Sequence, residues 1–105
     1  MKDTGIARRI DQLGRIVIPR ELLKSHDINM GYGVEIYVLN KDIVVEKADV
    51  EDYGIVRYVD QSGRVTIPRE IITRYELKLG KKGIKGSAVR FLLDGKKIIL
   101  RKEVI

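Results

Sequence analysis

The chain has 105 residues, a formal net charge of +6, one histidine and no cysteine. This length suits one compact domain or two very small ones and excludes a multidomain enzyme. The absent thiols exclude disulfide scaffolds, cysteine nucleophiles and thiolate metal sites, and a lone imidazole excludes a multi-histidine zinc site, so no metal or other cofactor is expected.

Met1-Lys2-Asp3-Thr4 lacks the apolar stretch of a signal peptide, and no apolar run approaches the length of a membrane span. A cytoplasmic protein without membrane contact is expected. A first strand carries Arg8 and Arg9 and leads into Asp11-Gln12-Leu13-Gly14-Arg15. The aspartate favours turn initiation and the glycine accepts positive φ, so this segment reads as a turn between two strands. Ile16 and Ile18 then alternate with Val17, the period of a strand with one buried face. Pro19 suits the first position of a helix, where a missing N–H costs nothing, and Glu21 suits the dipole of the first turn. Leu22, Leu23 and His26 form the inward helix face, and about two to two and a half turns fit before Gly31. Val34, Ile36 and Val38 alternate with Glu35 in a third strand with one wet face. Asn40-Lys41-Asp42 reads as a hairpin turn, and Ile43-Val44-Val45 as a strand covered on both sides.

The same order then returns. Gly5–Glu21 recurs as Gly54–Glu70 at an offset of 49, and eleven of twenty positions are identical between residues 5–24 and 54–73. The match runs to Gly31 and Gly80, where six residues, 81–86, are inserted. Beyond them the offset is 55, so Val34–Val38 maps on Val89–Leu93 and Ile43–Lys47 on Ile98–Lys102, with Asp94-Gly95 as the second hairpin turn. Residues 1–47 form the first copy, 48–53 a short linker, and 54–105 the second copy with its basic insertion near 81–86. A copy of about 45 residues hardly buries a sufficient core alone. The linker is acidic, has no Gly or Ser, and spans at most about 20 Å. One joint globular domain is expected.

Residues 1–50 sum to zero charge, whereas residues 51–105 carry the whole +6. Such a balance points first to a polyanion partner, usually nucleic acid. A plain hairpin turn accounts for Asp11–Arg15 and Asp60–Arg64, but not for the arginines around them. Arg8, Arg15 and Arg20 recur as Arg57, Arg64 and Arg69 while their apolar neighbours drift. Two copies related by a twofold axis present a paired basic surface, as two-fold DNA sites require. Arg15 and Arg64, projecting from the turns, are best placed to reach base edges. Arg9, Lys24 and Arg74 extend the set; Arg20 and Lys24 are four apart and share a helix face.

Thr4–Glu21, with Val34–Val38 and Ile43–Lys47, resembles the N-terminal DNA-binding domain of the AbrB/SpoVT family of transition-state regulators, and Gly54–Glu70 with residues 89–102 matches the same pattern. The resemblance implies a mostly β fold with one short helix per repeat: a swapped-hairpin β-barrel, here formed as an intrachain pseudo-dimer of two βαβ-type repeats. It implies a nucleoid-associated, non-enzymatic transcriptional regulator that occupies A·T-rich double-stranded promoter DNA with loose sequence specificity, as a repressor or an activator. The positions it carries over are Arg8 and Arg15, and by repeat equivalence Arg57 and Arg64. Two departures stand out. The family's paired basic residues on the helix are here Leu23-Lys24 and Ile72-Thr73, so only Lys24 keeps a charge. A second copy also replaces the different C-terminal segment of most members, and further self-association stays open.

Gly80–Gly86 reads as a mobile cationic loop bearing Lys81, Lys82 and Lys85, without the spacing of a P-loop. It is either a tolerated surface insertion or a source of extra phosphate contacts on one side of the site. The alternative function is a DNA-binding antitoxin or other protein-interaction module of a toxin–antitoxin system. Such antitoxins append a segment that wraps the toxin, whereas Arg101–Ile105 directly follows the last strand. Gly86-Ser87 resembles the self-cleaving dipeptide of pyruvoyl enzymes, but no nucleophile–base pair accompanies it. His26, aligned with Tyr75, reads as a packing residue.

Overall fold

The computed structural model describes residues 1–49 and 54–103. Most of the linker expected at 48–53, and the last two residues of the second copy, lie outside the described residues. The first copy contains β1 (Lys2–Arg9), β2 (Arg15–Val17), α1 (Arg20–Ser25), β3 (Gly33–Leu39) and β4 (Asp42–Lys47). The second contains β5 (Ile55–Tyr58), β6 (Arg64–Thr66), α2 (Arg69–Arg74), β7 (Ala88–Asp94) and β8 (Lys97–Lys102). The chain is mostly β with one short helix per copy, as the sequence implies.

Six strands form an antiparallel sheet in the order β1-β7-β8-β4-β3-β5, and β2 pairs with β6 in a separate ribbon. The pairing exchanges strands between copies. β1 of the first copy lies on β7 of the second, and β5 of the second lies on β3 of the first. The pattern is unchanged when the copies are interchanged: Arg8 faces Val89 as Arg57 faces Val34. Val44 faces its own counterpart Ile99, and Ile16 faces its own counterpart Val65. A twofold relation between the copies passes through these two self-paired positions. The implied barrel differs in one respect: it is not closed. The sheet ends on β1 and β5, which have no further strand partner among the described residues. The ribbon strands are three residues each and pair only with one another.

Strand alternation gives the sheet two faces. Val34, Ile36, Ile43, Val45, Val89, Phe91, Ile98 and Leu100 share one buried cluster with Ile16, Ile18, Val65 and Ile67 of the ribbon segments and Leu22, Leu23 and Ile71 of the helices. Val44, Leu92 and Ile99 form a smaller cluster on the opposite face, with Tyr37 against it. That second cluster is why β4 and β8 read as apolar without alternation.

The helices are six residues each, shorter than the sequence suggests. Pro19 and Pro68 occupy the N-cap, with ψ of 137° and 141°, and not the first helical position. Their carbonyls accept the first helical bonds, from the Leu22 and Ile71 N–H groups. Helices this short are unstable in isolation, so burial of Leu22, Leu23 and Ile71 holds them. Cross-copy contacts fix their far ends. His26 Nε2 meets the Gly95 carbonyl at 3.2 Å, and the Tyr75 hydroxyl donates to the Asn40 carbonyl at 3.0 Å. His26 is only half-buried and bridges its own helix, with Nδ1 at 2.9 Å from the Leu22 carbonyl, to the opposite hairpin turn through Nε2.

Phe91 is fully buried in the shared cluster. Phe91→Ala is expected to destabilise the fold by about 3–5 kcal/mol, read from urea unfolding. A loss under about 1 kcal/mol would show that the two copies do not depend on one core.

Candidate nucleic-acid interface

Each turn is built by its aspartate. Asp11 Oδ1 accepts from the N–H groups of Leu13 (2.9 Å) and Arg15 (2.8 Å), and Asp60 Oδ1 from those of Ser62 (2.9 Å) and Arg64 (2.8 Å). Gly14 and Gly63 take φ of +78° and +79°, which only glycine adopts freely. The turns are clipped to the opposite copy: the Gly14 carbonyl accepts from Ile67 N–H and the Gly63 carbonyl from Ile18 N–H, both at 2.9 Å.

The remaining aspartate oxygen holds the arginine. Arg15 Nε donates to Asp11 Oδ2 and Arg64 Nε to Asp60 Oδ2, each at 2.7 Å. The turn arginines thus do not project freely; each lies back over its own turn. The terminal nitrogens of both forks have no partner among the described residues. Burial pushes the Asp11 carboxyl up, but the Arg15 N–H, its guanidinium and the Leu13 N–H together hold it below the usual aspartate value. At Asp60 the Arg64 N–H is the strongest influence, joined against desolvation by the guanidinium and the Ser62 N–H, and the carboxyl is again held low.

The ribbon places these arginines together. Arg15 faces Thr66 and Arg64 faces Val17 across the twofold relation, while Ile16 and Val65 point into the core. The outward ribbon face is therefore Arg15, Val17, Arg64 and Thr66. Sequence reasoning passed over Val17 and Thr66 as part of a surface, although the alternation that buries Ile16 and Ile18 already turns position 17 outward. On the edge strands, Arg8 and Arg57 share the sheet side of Val89 and Val34, the side that the ribbon covers. Arg20 and Arg69 open the helices that pack on this side, and Lys24 and Arg74 lie in the last turns.

The two sides of the sheet differ in how charge is matched. Away from the ribbon, Arg101 grips Asp42 with bonds of 2.7 and 2.8 Å, and Arg90 pairs with Glu103 at 2.7 Å and with Asp3 at 3.3 Å. On the ribbon side, Arg8, Arg20, Lys24, Arg57, Arg69 and Arg74 have no carboxylate partner among the described residues. Unmatched cations are what a polyanion surface presents; the division is one of degree, since Lys47 on the ribbon side pairs with Asp27 at 3.1 Å, while Arg9 and Lys97 on the other side have no carboxylate partner among the described residues.

Arg9 lies apart from this set. It faces Ala88 on the other side of β1, and its Nη1 donates to the Gly86 carbonyl at 3.0 Å. The insertion it braces is not a loose loop. Lys81 and Ile84 exchange two backbone bonds of 2.8 Å, and Lys81, Lys82 and Lys85 are exposed on the resulting hairpin. Gly86 is required there: a Cβ would stand 2.1 Å from the Ile10 carbonyl oxygen. Ser87 Oγ accepts from the Lys78 N–H at 2.7 Å, a structural use for the Gly-Ser pair. Among the described residues no group of three or more His, Asp or Glu side chains is placed to hold a metal.

No protein-family model matches the chain. Three curated relatives from Bacillus subtilis bear out the resemblance to transition-state regulators. The transition state regulatory protein AbrB is 47% identical over 47 residues, 45% of this chain and 49% of that protein. The putative transition state regulator Abh is 40% identical over 47 residues, 45% of this chain and 51% of that protein. Stage V sporulation protein T is 55% identical over 38 residues, 36% of this chain and 21% of that protein. The matches thus span about half the length of these relatives or less. The solution structure of PHS018 from Pyrococcus horikoshii is similar with a TM-score of 0.53 over 95% of this chain and 94% of that one; at 22% identity the likeness is one of fold.

Both turn aspartates are expected to titrate below 3.8 in a carbon-detected NMR titration. Their folded values are depressed, so the stability they contribute is present at neutral pH and is lost only as pH falls below the ordinary aspartate range. Arg15→Ala should move Asp11 upward and leave Asp60 in place. An Asp11 titration that Arg15→Ala leaves unmoved would mean that the ion pair does not form in solution.

Proposed function

We propose that this chain binds double-stranded DNA with its ribbon side and regulates transcription by occupying promoter DNA. The observation that carries the reading is the twofold-related set on the ribbon side: Arg8 and Arg57, which have no carboxylate partner among the described residues, beside Arg15 and Arg64, whose aspartates hold them through Nε alone. Support comes also from the relatives, two of which are named as regulators. In this reading the arginines supply phosphate contacts and most of the affinity, which makes binding steeply salt-dependent. The terminal nitrogens of Arg15 and Arg64, aimed by their aspartates, are the groups offered to base edges or to a narrow A·T-rich minor groove. Arg20, Lys24, Arg69 and Arg74 add flanking backbone contacts, and Lys81, Lys82 and Lys85 add more on one side.

The proposal includes the organisation of the chain. Residues 1–47 and 54–105 act as two repeats of one joint domain joined by 48–53, and a single chain supplies both halves of the DNA-binding surface. No catalytic step is assigned to it.

The test is fluorescence anisotropy on A·T-rich and G·C-rich duplexes across salt concentrations, with light scattering on the free protein. Arg15→Ala/Arg64→Ala is expected to lose about tenfold or more in affinity and to flatten the salt slope by about 2. Arg90→Ala, on the charge-matched side, should bind as the parent does. The scattering mass should be that of one chain. Absence of binding at protein concentrations near ~10⁻⁴ M, where even non-specific binders respond, would overturn the DNA reading. An obligate dimer would overturn the single-chain arrangement alone.

A further inference from the structure

Strand exchange decides which basic residues share a half of the ribbon side. The turn at 11–15 packs on the second copy: Ile72 and Leu79 lie against Gly14, and Ile10 and Asp11 are bonded to Ser87 and Gly80. The turn at 60–64 packs on the first copy, against Leu23 and Met30. The half around Arg15 therefore gathers Arg8 from one copy and the whole inserted hairpin from the other, with Arg9 bracing that hairpin from the opposite side of β1. The half around Arg64 has Tyr58, 70% exposed, in the place of Arg9. It has no insertion either. There the backbone closes directly, with Gly31 N–H on the Val59 carbonyl at 2.7 Å and Val59 N–H on the Tyr32 carbonyl at 3.0 Å. The halves share the turn and ribbon backbone and differ in the inserted hairpin and in charge.

Between the end of β1 and the hairpin lies an open groove of about 560 Å³, whose cationic lining is Arg8, Arg9, Lys81 and Lys85, with Asp11 at one end. The hairpin that forms one wall is fastened by the Arg9–Gly86 bond and by its own pair of backbone bonds. Its backbone is therefore already ordered, and an anion that enters spends little binding energy on ordering a loop.

Resting on the DNA reading above, we propose that this groove clamps the phosphate backbone in one half only, so that the chain seats on duplex DNA in a fixed direction. A narrow A·T-rich minor groove carries a stronger negative potential than a G·C-rich one. The half around Arg15 has more cations to gain from it, and it takes the A·T side of an unsymmetrical site. The preferred target is then a sequence with a polarity and not a palindrome.

The chain has no cysteine, so a single introduced thiol directs a cleavage reagent. Gln12 and Gln61 are equivalent, exposed turn residues, one in each half. Gln12→Cys and Gln61→Cys would each carry iron–EDTA on a duplex whose one side is an A·T tract and whose other side is G·C. The Gln12→Cys conjugate is expected to cut the A·T side and the Gln61→Cys conjugate the G·C side. Lys81→Ala/Lys82→Ala/Lys85→Ala, which leaves the hairpin's backbone bonds intact, should abolish this bias and lower the salt slope by about 2–3. Equal cutting of both sides by each parent conjugate, or a bias and slope unchanged by the lysine replacements, would overturn the proposal. Both results require bound DNA. Absence of binding by the parent is a separate outcome that removes the DNA reading and the clamp together.

Discussion

Neither copy of the repeat has enough apolar surface to close a core alone, and the sheet meets that constraint by trading strands. β1 leaves its own copy for β7, and β5 leaves its copy for β3. What remains at the centre must pair with itself, which is why Ile16 sits on Val65 and Val44 on Ile99. Most other features follow from the trade. Each turn is clipped through its glycine carbonyl to the opposite copy, and each helix end reaches the opposite hairpin through His26 or Tyr75. The short helices survive because the shared core, and not their own length, holds them.

Electrostatics follow the same geometry. The side of the sheet away from the ribbon uses its arginines for structure: Arg101 is committed to Asp42, and Arg90 to Glu103 and Asp3. On the ribbon side the arginine–carboxylate pairs are those of the turns, beside one lysine pair, Lys47 with Asp27. Exposed ion pairs contribute little to stability, so the value of Asp11–Arg15 and Asp60–Arg64 lies in orientation. Three bonds to one carboxylate fix the turn and its arginine together. The guanidinium gives up its Nε and part of its net charge, and in return its two terminal nitrogens are held in place. Less side-chain freedom then remains to be lost when an anion arrives.

The two copies served as an alignment within one sequence, which is why so much of the fold was legible. Alternation at 16–18 and 34–38 and the apolar runs at 43–45 and 98–100 fall on strands, with Ile18 just past the end of β2, while the second hairpin turn sits one residue later than the Asp-Gly pair suggests: Asp94 ends β7 and pairs with Lys97, and Gly95-Lys96 make the turn. The recurrent arginines were legible because they persisted while neighbouring apolar residues changed. Other features were not local. Barrel closure depends on whether the edge strands β1 and β5 find partners beyond β7 and β3, which no local residue pattern encodes. Pro19 satisfies the requirements of the N-cap and of the first helical position alike, and the residues around it do not choose. The glycines of 80–86 read as mobility because their composition is that of a loose loop. Gly86 is instead a close approach to Ile10, a residue over seventy positions away in the chain.

Placing both copies in one chain writes each position twice and lets the two versions differ. The differences are not distributed at random. The self-paired core positions change only between β-branched apolar residues, Ile16 to Val65 and Val44 to Ile99, because both partners share one buried volume. Positions that build the turn, Asp11 and Gly14 with Asp60 and Gly63, do not change, because each performs a backbone task that few residues perform. Divergence collects where solvent allows it: Leu13 against Ser62, Lys24 against Thr73, Arg9 against Tyr58, and the hairpin at 81–86 against nothing. A symmetric assembly of identical chains cannot hold such differences, since every substitution would appear on both halves. The exchange of strands then adds the last step. It carries the hairpin of the second copy to the end of β1 in the first, where Arg9 braces it beside Arg8, so differences separated in sequence meet at one end of the molecule. The zero charge of residues 1–50 and the +6 of residues 51–105 are therefore not the charges of the two halves that face a partner.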